Sequence, residues 1–276
     1  MSTAAVAALL VASMLAVGTT ATIDEFRALA RRRGLVMLTV ATNTIVLPGL
    51  AVGLVGATGL APEVSLGVVL AAAAPGGGTG ALLTLHARGD LAVSTGLQVL
   101  LGPLGLLAVP VWAAAAGQNV VPAGDAGLLV VAGGLLGQVV PLAVGMWLRR
   151  SRPRIAEWVH PVARRAADVL LAGLVLYFLI TGVGRLPQVG GAGVVVIAVL
   201  VAVSVTPVLL PWLGSVPQRR AVAMTTGVRN LTLGLFFAAV ASPTVALTVL
   251  TYGLLMYGMC VPVALALARS KPVAVR

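Results

Sequence analysis

An all-α membrane protein of about nine transmembrane helices is the fold class this sequence predicts. Three observations carry it: the composition, the spacing of the apolar runs and the placement of the basic residues. Of 276 residues, 59% are hydrophobic and 9% charged, with a mean hydropathy of +1.09. Soluble domains are about 45–50% apolar and about 25% charged, so a chain this poor in charge does not cover a water-facing surface. The apolar runs are 3–22, 34–58, 64–86, 91–115, 125–148, 166–184, 190–213, 221–240 and 244–267. A hydrocarbon core of roughly 30 Å takes about 20 helical residues to cross, whereas a tilted barrel strand takes about 10. Runs of this length without strict alternation are therefore helical spans, and 1–276 is expected to form a single membrane domain.

The basic residues fall on alternate connections. Those after the first, third, fifth and seventh runs, with the C-terminal tail, hold Arg27, Arg31, Arg32, Arg33, Arg88, Arg149, Arg150, Arg152, Arg154, Arg164, Arg165, Arg219, Arg220, Arg269, Lys271 and Arg276, which is 16 of the 18 Lys and Arg. The other connections hold only Arg185. The positive-inside rule then places the N-terminus outside, the C-terminus in the cytoplasm and an odd number of helices between them, in a multi-pass protein of the cell membrane. The net charge of +11 reads as a topology signal. Its contact is with anionic headgroups of the lipid bilayer, worth about 1 kcal/mol per residue near the surface. No nucleic acid partner is expected, because these residues do not gather on one solvated face.

Individual runs add detail. The first has no positive residue ahead of its apolar stretch and reads as a retained span. Residues 23–33, with Phe26 and Leu29 beside Arg27 and Arg31, suit either a short interfacial helix or an anchored loop. One cysteine, Cys260, excludes an intrachain disulfide. His86 and His160 fall near the basic ends of runs and read as interfacial.

Only one basic residue, Arg229, falls inside a run. It lies nine positions after Arg220, roughly 13 Å deep at about 1.5 Å per residue. Burial there costs at least about 2.5–3.5 kcal/mol. The acidic residues Asp24, Glu25, Glu63, Asp90, Asp125, Glu157 and Asp168 are all expected in loops or at run ends, so none is available at that depth. Two readings follow: the guanidinium donates to carbonyls of a broken helix or snorkels, or the missing anion is a ligand held by a fork that suits carboxylate or sulfate.

The surroundings favour a ligand. Arg229 belongs to Thr225-Thr226-Gly227-Val228-Arg229-Asn230, and the third run contains Pro75-Gly76-Gly77-Gly78-Thr79-Gly80. Neither stretch continues a regular helix without cost, and by the charge-derived topology the two runs cross in opposite directions. A pair of interrupted helices in two inverted halves is the sequence pointer to a transporter site. The first, incomplete repeat is expected over about 1–120 and the second over about 121–276. A phosphate-cradling loop is excluded, since the Gly-Lys-Ser/Thr ending is absent. Asn43 with Thr44, and Ser94 with Gln98 spaced i and i+4 on one helix face, are polar residues inside spans that can reach such a crossing.

Pro75-Gly76-Gly77 followed by Ala87-Arg88-Gly89-Asp90-Leu91-Ala92-Val93-Ser94 resembles the bile acid:sodium symporter family, with a proline-glycine-glycine break and then an Ala-Arg-Gly-Asp/Asn turn. The resemblance extends back through Glu63 and Pro48 to Asn43 and forward to Gly227 and Asn230. It implies a core domain holding two crossed, broken helices, a smaller panel domain, and substrate between them. It also implies two sodium sites. One falls on Gly80, Ala81, Ser94, Gln98 and Thr225, the other on Thr225, Arg229 and Asn43. Where sodium-coupled members carry a glutamate this chain has Thr225, and where they carry a glutamine it has Arg229. At about 4 Å, even an effective dielectric of 20 gives roughly 4 kcal/mol of repulsion between a guanidinium and sodium.

The sequence therefore points to alternating-access transport of a small organic anion without sodium coupling. The expected substrate-binding residues are Arg229, Asn230, Thr225, Thr226, Gly76, Gly77, Gly78, Thr79, Asn43, Ser94 and Gln98. No cofactor, metal site or enzymatic chemistry is expected. The rival classes are a membrane sensor that binds an anion without moving it, and an oxyanion or metalloid exporter of the same superfamily. Ala74 in the first break, where metalloid chemistry would favour a cysteine, ranks the exporter lower.

Overall fold

The computed structural model describes residues 3–22, 27, 29–118, 125–182 and 186–269. Asp24, Glu25, Arg185, Lys271, Arg276 and most of the N-terminal half of the 23–33 segment lie outside them.

Every described element is helical. In chain order the α-helices are α1 (Thr3–Gly18), α2 (Arg33–Thr58), α3 (Pro62–Ala72), α4 (Thr79–His86), α5 (Leu91–Ala115), α6 (Asp125–Ser151), α7 (Pro153–Gly182), α8 (Leu186–Val205), α9 (Val216–Gly227), α10 (Leu231–Ala241) and α11 (Pro243–Arg269), with short 3-10 turns at Thr206–Leu209 and Pro211–Leu213. They follow the nine apolar runs, with the third divided into α3 and α4 and the eighth into α9 and α10. The protein is a multi-pass membrane protein. Helices of this composition are the stable solution in lipid because each satisfies its own backbone polar groups.

Two groupings are visible in the packing. α1 lies against α6 and α7, which also touch each other. α11 gathers α3, α4, α8, α9 and α10, and α2 and α5 pack on these in turn. Gly18 and Gly145 allow α1 and α6 to approach so closely that a Cβ on Gly145 would stand 2.7 Å from the Thr19 nitrogen. Small residues of this kind drive helix association in lipid, where burying apolar surface gains nothing.

The acidic residues differ in part from expectation. Glu157 and Asp168 sit within α7, which begins at Pro153 and runs for 30 residues, about 45 Å at 1.5 Å per residue. Hydropathy locates only the lipid-facing part of such a helix, so its charged first half, including Arg164 and Arg165, read as connection.

Candidate functional site

The two breaks meet. After α3 the chain runs through Pro75-Gly76-Gly77-Gly78 before α4 begins, and Val228–Asn230 separates α9 from α10. Gly76 has φ +81°, and a Cβ there would stand 2.7 Å from the Gly102 nitrogen of α5. A Cβ on Gly77 would collide with the Arg229 carbonyl. The Asn230 N–H donates to Ala74 O at 2.7 Å, tying the second break to the first. Asn230 also caps α10, its Oδ1 accepting from Leu233 N–H at 3.1 Å, as Asn favours at this position.

Arg229 is 1% exposed, the largest of the fully buried side chains. Its guanidinium donates to Asn43 Oδ1 at 2.8 Å, to Ala72 O at 3.2 Å and to Thr226 O. Both carbonyls come from helices that end at the breaks, where C-terminal carbonyls lose their intrahelical partners. Asn43 is presented by a wide turn at Thr42–Val46 and donates to Thr39 O (2.8 Å) and Thr226 Oγ1 (3.0 Å), which fixes its oxygen toward Arg229. Among the described residues no carboxylate lies within ion-pair reach of this guanidinium. Its charge is met by dipoles alone, and its Nε has no partner.

On the other side of the crossing the polar residues close on one another. Ser94 Oγ receives Thr84 Oγ1 at 3.0 Å and shares a 2.8 Å hydrogen bond with Thr225 Oγ1. In the orientation that satisfies its neighbours, Gln98 accepts from Ser94 Oγ (3.2 Å) and Ala81 N–H, and donates to Gly78 O (3.2 Å). Its amide stands 3.0 Å from where a Cβ on Gly80 would be. The larger residue on α5 thus fills the volume that glycine vacates on α4.

A cavity of about 300 Å³ reaches the crossing from the end that carries the basic connections. At its head are Gly77, Gly78, Thr79, Gln98, Arg229 and Asn230, whose Nδ2 is buried without a partner. Gly76, Asn43, Ser94, Thr225 and Thr226 do not line it. They are buried behind the head and hold its shape. The walls come from both groupings, with Leu9, Val17 and Leu171 facing Leu82, Leu85 and Leu231.

Sequence reasoning missed several polar lining residues, Tyr257 and three on α7 among them. Tyr257 of α11 shares a 2.7 Å hydrogen bond with Thr79 Oγ1 at the head. His160, Arg164 and Asp168 lie at i, i+4 and i+8 along α7, where the period of a helix face was their only signal. Arg164 pairs with Asp168 at 3.8 Å.

Two comparisons with known proteins bear on the chain. The family model described as Sodium Bile acid symporter family matches residues 7–189. An uncharacterized sodium-dependent transporter, YocS, of Bacillus subtilis (strain 168) is 23% identical over 228 residues, covering 80% of this chain and 69% of that protein.

Proposed function

The chain belongs to the sodium bile acid symporter family, and on that premise we propose that it carries a small organic anion by alternating access, without sodium. The family is one of transporters, so a small-molecule substrate crosses between the two helix groupings. The basic end, where the cavity opens, is the cytoplasmic face in this reading.

The observation that carries the proposal is the buried guanidinium of Arg229, countered by neutral oxygens alone. The oxygen set around it, Asn43 Oδ1 and two backbone carbonyls, suits a hard monovalent cation, and the guanidinium already occupies it. The cluster of Thr84, Ser94, Thr225 and Gln98 contains no carboxylate, and its hydroxyls are spent on each other. These residues do not fit sodium at either position implied by the family resemblance. The relative's name describes a sodium-dependent transporter, and the departure at Thr225 and Arg229 separates this chain from that description.

Arg229 acts in this mechanism through its field. A fixed positive charge near the head of the cavity favours an anion there, in a medium where charge is weakly screened. The N-termini of α4 and α10 end at the same place and add the positive ends of their dipoles. Unpaired Asn230 Nδ2 and the Thr79–Tyr257 hydroxyl pair supply donors. At about 300 Å³ the cavity lies at the small end of the usual range of about 300–1,000 Å³, which supports a compact substrate.

The test is uptake of radiolabelled short carboxylates into proteoliposomes with sodium, potassium or choline outside. Saturable uptake indifferent to the cation is the expected outcome. Strict dependence on sodium would overturn the proposal, and saturable binding with no flux would favour a sensor.

A further inference from the structure

Gln138 is polar, fully buried and takes no part in the cavity lining or the hydrogen bonds of the crossing. It is 0% exposed, and neither its Nε2 nor its Oε1 has a hydrogen-bond partner among the described residues. It sits on α6, eleven residues before Arg149, and therefore about 16 Å from the basic end, level with the crossing. Its amide packs on α5, where a Cβ on Gly102 would stand 3.1 Å from Nε2. Gly102 in turn abuts Gly76 of the first break.

Farther from the basic end, α6 packs closely on α5 and α10 beside it. One turn along α6, a Cβ on Gly134 would lie 2.8 Å from Leu106 Cδ1 of α5 and 3.3 Å from Phe236 of α10. Leu106 is 0% exposed and Phe236 8% exposed. These residues are apolar and close-packed, and none of them lines the cavity. One amide placed in such a contact is a defect in it: a buried donor and acceptor left unmade each cost a desolvation penalty that water or a solute would remove. A seal meant to stay shut would carry a leucine here.

We propose that Gln138 is a gate residue of the opposite-facing state, its amide paired only when α6 parts from α5. There it meets water or the oxygen atoms of the carried solute. The amide thereby weakens the closed seal and offers a hydrogen-bonding group on the far side of the crossing, as Asn230 does on the near side. This rests on the alternating-access reading, since the amide has a use only if the seal opens.

The experiment reads how often the seal opens. In a Cys260→Ala background, Leu106→Cys places a thiol inside the seal and Leu85→Cys places one at the exposed side of the cavity, where Leu85 is 58% exposed. Mixed-disulfide formation with a charged methanethiosulfonate, which releases methanesulfinate, is timed in lipid nanodiscs. Gln138→Met keeps the volume and removes the defect, so the Leu106→Cys thiol should react more slowly by on the order of tenfold. Gln138→Glu deepens the defect and should speed the same reaction. The Leu85→Cys thiol reports that each variant is folded with its cavity open. Unchanged Leu106→Cys rates in both variants, or a shift in the same direction in both, overturn the assignment and leave alternating access standing. A Leu106→Cys thiol that never reacts in the parent while Leu85→Cys does would overturn both.

Discussion

The two sides of the helix crossing hold the same kinds of residue and solve opposite problems. On one side Thr84, Ser94, Gln98 and Thr225 form a neutral network in which each polar group finds another. On the other, Asn43, Ala72 and Thr226 point oxygens at a single cation that the chain itself supplies. Neutral closure makes one side a strut, since nothing charged is left to attract a ligand. Internal charge makes the other side both a strut and a source of field. A crossing of two broken helices exposes carbonyls at their ends, and something cationic or hydrogen-donating must meet them. Arg229 does so without an ion from solution.

The two sides are held together at Gly77. Gly77→Ala drives a methyl into the Arg229 carbonyl, and between two backbones there is no flexible side chain to yield. Loss of the folded protein is expected, read as absence of a monodisperse peak in fluorescence-detected size exclusion. Arg229→Met removes the cation and leaves three neutral oxygens buried without a donor, each at a cost of about 1–3 kcal/mol. A large fall in melting temperature and loss of uptake should follow. Ser94→Ala removes the hub of the neutral side, and the orphaned hydroxyls and amide cost about 1–3 kcal/mol. The expected result is a lower melting temperature with uptake retained, because no charge is lost.

Thr225→Glu with Arg229→Gln restores the carboxylate and the amide that the family resemblance assigns to sodium. At a tenfold excess over its Kd, a bound ion stabilises by about 1.4 kcal/mol. Melting in sodium chloride should therefore exceed melting in choline chloride for the double variant. Absence of that difference would mean that more than these two residues separates the chain from sodium-binding relatives.

Much of this was legible in the sequence, for reasons that are physical. The runs and both breaks stand out because lipid allows no other place for twenty apolar residues, and because Pro75-Gly76-Gly77-Gly78 and Thr225–Asn230 interrupt them. The burial of Arg229 followed from its distance to Arg220. Its partners did not, because Ala72 and Thr226 contribute main-chain oxygens that side-chain identity does not encode. The amide of Gln98 filling the space beside Gly80 is likewise a relation between two helices, invisible along one. Asp168 read as an end residue because hydropathy fades before α7 does. Gln138 drew no attention in a run of ordinary composition, since its lack of partners exists only once α5 lies against α6.

The most direct test of Arg229 as the resident cation is sodium binding by the unmodified protein. Thermal unfolding in nanodiscs is followed across a titration of sodium chloride against choline chloride at constant ionic strength. With the guanidinium in place, the melting temperature should be the same throughout. A saturable rise with sodium would show that the ion still finds a site, and would contradict the substitution of ion by side chain.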